Sequence, residues 1–249
     1  MKVISILNQK GGVGKTTSTY NIAAALSKKG KRILMIDSDS QASLTLMGGN
    51  NPLTLEHNLP SLYAGDDISN CIYKTTIDNL YLLPSSLELA KVEVTLIAVT
   101  FGRELIIKNA LEKLSDSFDF VIIDCCPSLG LININNLVAS DYVIVPTELS
   151  LLSCYALDDL KDTIKQVSVV NKKLKILGLI ATKFDKRIKK DNEILESLIK
   201  DENVIGVIKN SVDAKKGIEE GIPAIIFNEY CEVSQSYMKI ADYIEKECL

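Results

Sequence analysis

Two stretches of this 249-residue chain, FDFVIID at 118–124 and DYVIVP at 141–146, are apolar almost without interruption. A half-exposed strand alternates apolar with polar residues, so such runs belong to strands covered on both faces, as in a parallel sheet held between helical layers. KVISILN at 2–8, KRILMID at 31–37, NLYLLP at 79–84 and KILGLIAT at 175–182 are further β-rich runs, separated by longer amphipathic stretches. That rhythm predicts an α/β fold, a twisted and mostly parallel β-sheet flanked by helices on both faces. With 47% hydrophobic residues the chain can fill one core. No repeat, low-complexity tract or Pro/Ser-rich linker divides it, so the expectation is a single domain over 1–249. Residues 48–78 are the least regular and are expected to lie over the strand ends.

The first strand runs into NQKGGVGKTT, Asn8 to Thr17. Gly11, Gly12, Val13, Gly14, Lys15, Thr16 and Thr17 have the form of a P-loop that opens a helix. Glycines there let successive backbone N–H groups curl around phosphate oxygens, and the helix N-terminus adds partial positive charge. Lys15 is expected to bridge the β- and γ-phosphates of a nucleotide, and the Thr16 hydroxyl to ligate Mg²⁺. The loop departs from G-x-x-x-x-G-K-[ST] in one respect: Gln9 stands where the opening glycine belongs, and Lys10 follows it.

Acids end two of the strands, Asp37 and Asp39 in MIDSDSQ and Asp124 in VIIDCCPS. In a parallel sheet they reach the carboxyl edge, where ligands bind, so Asp124 suits a Walker B acid holding Mg²⁺ through water. The simpler reading is that these acids cap the turns that follow.

Charge and composition narrow the partners. The formal net charge of −4 leaves no overall basic surface, so nucleic-acid contact has to come from a local patch. TKFDKRIKK at 182–190 is such a patch, with Lys183, Lys186, Arg187, Lys189 and Lys190, although a run of this kind is commonly a solvated helix face. Lys215 and Lys216 are a second, weaker one. Met1 is followed at once by a strand, so no secretory leader is expected, and no apolar run reaches the roughly 18 residues of a membrane span. The six cysteines show no C-x-x-C pair, and Cys125 and Cys126 read as small buried hydrophobes of a reduced protein. His57, the only histidine, sits in a segment that reads as a short surface helix.

Together KGGVGKTT, DSDSQ, FDFVIIDCCPS, VPTE (145–148) and EEGIPAIIFNE (219–229) resemble the ParA/MinD group of deviant Walker A ATPases, and within it the Soj-like chromosome and plasmid partition ATPases. The resemblance implies ATP and Mg²⁺ as cofactors and slow, partner-stimulated hydrolysis. It makes Lys10 the residue that reaches the phosphates of a second subunit in an ATP-bound homodimer, much as an arginine finger acts in trans. It also makes Asp39 the residue that positions the attacking water, with Asp37 near the metal shell beside Thr16 and Asp124. Nonspecific binding of double-stranded DNA through Lys186, Arg187, Lys189 and Lys190, a ParB-like DNA-bound activator with a basic arm, and a cytoplasmic, nucleoid-associated location are implied as well. Ser40 and Cys126 replace prolines usual in the group, which implies less rigid switch segments and leaves the hydrolysis rate open.

Other readings compete. A MinD-like protein would end in a basic amphipathic helix for lipid, whereas YMKIADYIEKECL carries Asp242, Glu245 and Glu247 against Lys239 and Lys246. TKFD matches the [NT]-K-x-D pattern by which P-loop GTPases read guanine, with Asp185 as the base acceptor. An ATP-dependent amidation ligase shares the expected fold, but the sequence offers no evident small-molecule site.

Overall fold

A computed structural model describes residues 1–211, 216, 217 and 219–249, with the side chains of 151–156 outside the description. Eight strands form one sheet in the order β3-β4-β2-β5-β1-β6-β7-β8. The six expected runs are β1 (Lys2–Ile6), β2 (Ile33–Ser38), β4 (Leu80–Leu83), β5 (Phe120–Cys125), β6 (Tyr142–Glu148) and β7 (Lys175–Phe184). All described pairings are parallel except that of β4 with the short edge strand β3 (Tyr73–Lys74). The short helix α2 (Ser43–Met47) follows β2, and the segment 48–78 supplies the edge strand, the short helix α3 (Leu59–Tyr63) and a 3₁₀ turn (Ile68–Cys71).

Alternate residues of the central strands feed two cores. Val3, Leu34, Ile36, Val121, Ile123, Val143 and Val145 face one layer of helices, while Ile4, Ile6, Ile33, Met35, Phe120, Ile122 and Ile144 face the other. The first layer includes α4 (Leu89–Ile97), α5 (Ile106–Glu112), α6 (Leu131–Ala139), α7 (Leu151–Val167) and α8 (Lys189–Asp201). The second is built on α1 (Lys15–Lys28) and the C-terminal helix α9 (Glu232–Cys248). Burial on both faces is why β2 and β5 show no polar alternation.

Strand β8 (Val204–Lys209) was not evident in the sequence, because VIGVIK is only half-buried and interrupted by glycine. The glycine has a packing cause: a β-carbon on Gly206 would lie 2.5 Å from Ile240 of α9. On α9, Val233, Tyr237, Ile240, Ala241 and Ile244 are buried, and Lys29 pairs with Asp242 at 2.6 Å and Glu245 at 2.7 Å. The apolar face of this helix is thus spent on the core against α1 and β8. Among the described residues no helix is long and apolar enough to cross a membrane.

Candidate nucleotide and metal site

The site lies where the strand order changes direction. β1 sits between β5 and β6, and Ile6 is in register with Asp124, which is in register with Asp37 of β2. One row across three strands therefore carries the loop and both acids to the carboxyl edge, the ligand edge of an open α/β sheet.

Asn8 anchors the loop at its entrance, donating to the Pro146 carbonyl at 2.7 Å and accepting from the Lys10 N–H at 2.9 Å. Thr182 anchors the far side, its hydroxyl donating to the Val13 carbonyl at 2.9 Å. Gly12 and Gly14 take φ values of 71° and 89°, a left-handed backbone that only glycine adopts without strain. No side chain caps α1 at Gly14, and its first turn contains no acid. Its leading N–H groups are aimed at the loop and left for an anion.

Lys15 is buried, and its Nζ donates to the Lys10 carbonyl at 3.2 Å. Burial lowers its pKa, opposed by Asp124, Cys125 and Asp39. Lys10 behaves differently. Its Nζ is 2.7 Å from Glu148 Oε2 and 3.4 Å from Ser150 Oγ. Lys183 lies 3.7 Å from the other Glu148 oxygen, and the Lys10 hydrogen bond is the main cause holding the Glu148 pKa below the usual carboxylate range.

The two strand-end acids are both buried but differ in their bonds. Asp37 Oδ2 accepts from the N–H and the hydroxyl of Thr45, each at 2.7 Å, and Oδ1 accepts from the Asp39 N–H at 3.2 Å. Asp37, expected near the metal shell, is thus bonded on Oδ2 to the segment after β2, with Oδ1 holding one 3.2 Å contact. Thr45 in turn accepts from the Ser85 N–H at 2.8 Å, so the network ties that segment to the end of β4. Thr45→Val is expected to lower stability by about 1–3 kcal/mol in urea unfolding, because it strips a donor from a buried carboxylate. It should leave nucleotide affinity unchanged.

Asp124 Oδ1 accepts from Thr19 at 3.4 Å, whereas Oδ2 is buried with no hydrogen-bond partner. Desolvation first, and then Asp37, raise the Asp124 pKa, against the pull of Thr16 and Lys15. A buried carboxylate oxygen without a donor fits a cation bound in front of Thr16. Among the described residues no group of three or more His, Cys, Asp or Glu could hold a metal unaided. The donor set instead suits Mg²⁺ shared with phosphate oxygens and water.

Asp39 lies beyond the end of β2, half-buried, with Oδ1 accepting from the Gln41 N–H at 2.9 Å. It borders a cleft of about 330 Å³ together with Gln41, Glu93, Cys126 and Ser128. Of the two cysteines expected to be buried, only Cys125 is; Cys126 is partly exposed and 3.3 Å from the Ser128 hydroxyl. His57 pairs at the surface with Asp66 at 2.8 Å, remote in sequence from every site residue.

The basic run is divided. The guanidinium of Arg187 grips Asp185, with Nε 2.9 Å from Oδ1 and Nη2 2.5 Å from Oδ2. Arg187 holds the Asp185 carboxyl down to about 2. The pair is exposed on the Arg187 side, where the guanidinium keeps its charge, while Asp185 is engaged by it. Lys189 lies 3.6 Å from Glu193, while Lys186 and Lys190 are exposed without an ion pair among the described residues. Lys215 lies outside the described residues; Lys216 is exposed.

A strand, an anion-receptive glycine loop, an uncapped helix and two buried acids in register define a P-loop nucleoside triphosphatase. Residues 1–176 match the family described as AAA domain. The sporulation initiation inhibitor protein Soj of Bacillus subtilis is 35% identical over 245 residues, spanning 96% of each chain. A cobyrinic acid a,c-diamide synthase of Mycobacterium smegmatis, solved with an ATP analogue and magnesium, superposes with TM-score 0.84 at 32% identity, over 99% of this chain and 95% of that one. A plasmid partition protein of Borrelia burgdorferi bound to AMPPNP gives TM-score 0.85 at 29% identity, over 99% of both chains. The chain belongs to the ParA/MinD family of P-loop ATPases.

Proposed function

We propose that residues 1–249 act as one ATPase domain that dimerises on ATP, binds DNA without sequence preference and positions a chromosome or plasmid. The observation that carries this reading is the placement of Lys10: a lysine of the phosphate loop, about one-third exposed, whose amine is held by Glu148 at 2.7 Å. Charge held at the rim of a nucleotide site, half-exposed, suits the phosphates of a facing subunit better than those beside Lys15.

ATP and Mg²⁺ are the cofactors of the site. Bound there, Mg²⁺ would neutralise charge between the β- and γ-phosphates. Thr16 would hold it by its hydroxyl and Asp124, through water, by the unpartnered oxygen, with Asp37 near the metal shell. Lys15 and the N–H groups of Gly11 to Thr17 grip the phosphates, while Asp39 orients a water in the cleft. A DNA-bound, ParB-like protein is the expected activator, and a cytoplasmic, nucleoid-associated location follows from the same reading.

Comparing dimerisation and DNA retention with ATP, ADP and GTP tests it. DNA retention with ATP alone supports the proposal, and equal retention with all three overturns it. For the DNA surface, Lys186 and Lys190 are the residues to change, since Arg187 is tied to Asp185. The double variant Lys186→Glu/Lys190→Glu should weaken binding to all duplexes alike. Loss of up to two phosphate contacts per subunit should flatten the log–log salt slope by about 2–4 units per dimer. An unchanged slope in a biosensor salt series would move the DNA surface elsewhere.

The likeness to the M. smegmatis enzyme favours a second reading, ATP-driven amidation, with an acceptor entering the cleft beside Asp39. The two separate by phosphate release. A partition ATPase turns over with DNA and an activator, whereas a ligase requires a carboxylate acceptor and an amine donor.

A further inference from the structure

The helix that follows the Asp124 strand buries polar side chains where a core-facing helix carries apolar ones. Asn133 and Asn136 of α6 lie one turn apart and are fully buried. Asparagine is a poor helix former and is seldom buried. Its partners here come from the two segments that border the Asp39 cleft. Asn133 Nδ2 donates to the Cys126 carbonyl at 2.8 Å and also to the Ser128 carbonyl. With both of its N–H bonds spent on carbonyls, Asn133 presents Oδ1 as an acceptor, and Asn136 Nδ2 donates to it at 3.1 Å. Asn136 Nδ2 also donates to Ser38 Oγ at 2.8 Å and lies 3.6 Å from Cys125 Sγ. Asn136 Oδ1 is buried without a partner. A bare buried acceptor is unfavourable, and the amide keeps this orientation because only its Nδ2 end can meet the Asn133 oxygen.

We infer that Asn133 and Asn136 are positioning residues for ATP hydrolysis, their joined amides holding the Asp39 segment and the segment after Asp124 in a fixed relation across the cleft. The inference rests on the role of Asp39 proposed above. Ser38 ends β2 and is the chain neighbour of Asp39; with Ser40 and Gln41 they line one wall of the cleft, and Cys126, Pro127 and Ser128 line the other. The last register pair of the two strands is Ser38 with Cys125. Both walls therefore begin where their strands end, and their separation depends on bonds from elsewhere in the fold. Helix α6 supplies them, through Asn136 to Ser38 and through Asn133 to 126–128. The Cys126 and Ser128 carbonyls flank Pro127, whose ring fixes its own φ, so that segment is gripped at both ends and stiff in the middle. An orienting carboxylate works only while it keeps its distance from the reacting phosphate, and a misplacement of about 1 Å can cost about 10² in rate.

Asn133→Ala, Asn136→Ala and Ser38→Ala test this in the full chain, read by single-turnover phosphate release with ATP and Mg²⁺, by affinity for a nonhydrolysable ATP analogue and by melting. Each asparagine variant should release phosphate about 10- to 100-fold more slowly at temperatures well below its melting midpoint, with analogue affinity within about threefold of the wild type. Ser38→Ala removes one hydroxyl and opens little space, so it should melt close to the wild type and still slow release about 3- to 10-fold. The double variant Asn133→Ala/Asn136→Ala should be no slower than the slower single one, because one broken link already frees the walls. Losses that multiply would overturn the joined pair. Folded variants that release phosphate within about twofold of the wild type would reduce both residues to packing. If neither asparagine variant folds, Ser38→Ala decides alone, and normal release in it overturns the inference. Asp39→Ala run beside them separates the failures. Its collapse with normal release in the others overturns the link alone, whereas normal release in Asp39→Ala removes the water-orienting reading and the inference with it.

Discussion

Lys15→Ala is expected to weaken ATP binding about 10²- to 10³-fold, a loss of about 3–4 kcal/mol, since it removes the buried cation that faces the phosphates. Lys10→Ala is expected to leave ATP affinity largely unchanged while removing ATP-driven dimerisation and, with it, hydrolysis. The two lysines are five residues apart, and their environments separate their roles. Lys15 is buried and bonded within its loop, whereas Lys10 is about one-third exposed and held by Glu148. Reaching a neighbouring subunit requires Lys10 to leave that partner. A surface ion pair of this kind contributes about 0–1 kcal/mol, and a charge-assisted bond to phosphate returns about 1.5–3 kcal/mol. The balance favours release only when a second nucleotide is presented. Light scattering with ATP decides the matter, and a Lys10→Ala protein that dimerises normally would end the in-trans role.

The chain's periodicities carried the fold, because two-sided burial leaves strands such as FVIIDC with no polar residue before the edge acid. The P-loop was equally legible, since its glycines, lysine and threonine act through backbone geometry that permits few substitutions. Strand β8 escaped because it is half-buried and carries a glycine demanded by Ile240, a contact made across the fold. The partners of the site residues escaped for the same reason. Asn8 bonds to Pro146, Thr182 to Val13 and Lys10 to Glu148, each across well over a hundred residues, with no local pattern to reveal them. Asp37 shows bonds that sequence adjacency does not announce: it stands in register with Asp124, and its oxygens accept from Thr45 and from the Asp39 N–H. Arg187, inside the basic run, pairs with Asp185 two residues before it.

Asp39→Ala should produce the second large effect, an ATP-bound dimer that accumulates because hydrolysis falls about 10²- to 10⁴-fold, the usual contribution of a group that orients or deprotonates the attacking nucleophile. On the proposed reading this role is distinct from metal binding. Asp39 is half-buried beside the cleft, one oxygen taken by the Gln41 N–H, while the buried oxygen without a donor belongs to Asp124. Removal of the Asp39 carboxylate therefore leaves the phosphate nest, Lys15 and the Thr16–Asp124 pair in place. ATP and Mg²⁺ affinity should remain near the wild-type values while single-turnover phosphate release collapses. Asp124→Asn should do the reverse, weakening Mg²⁺-dependent nucleotide binding before any hydrolysis is measured. If Asp39→Ala instead loses Mg²⁺-ATP affinity, Asp39 belongs to the metal shell. The water would then have to be held from the other wall of the cleft, where Cys126 and Ser128 stand within 3.3 Å of each other.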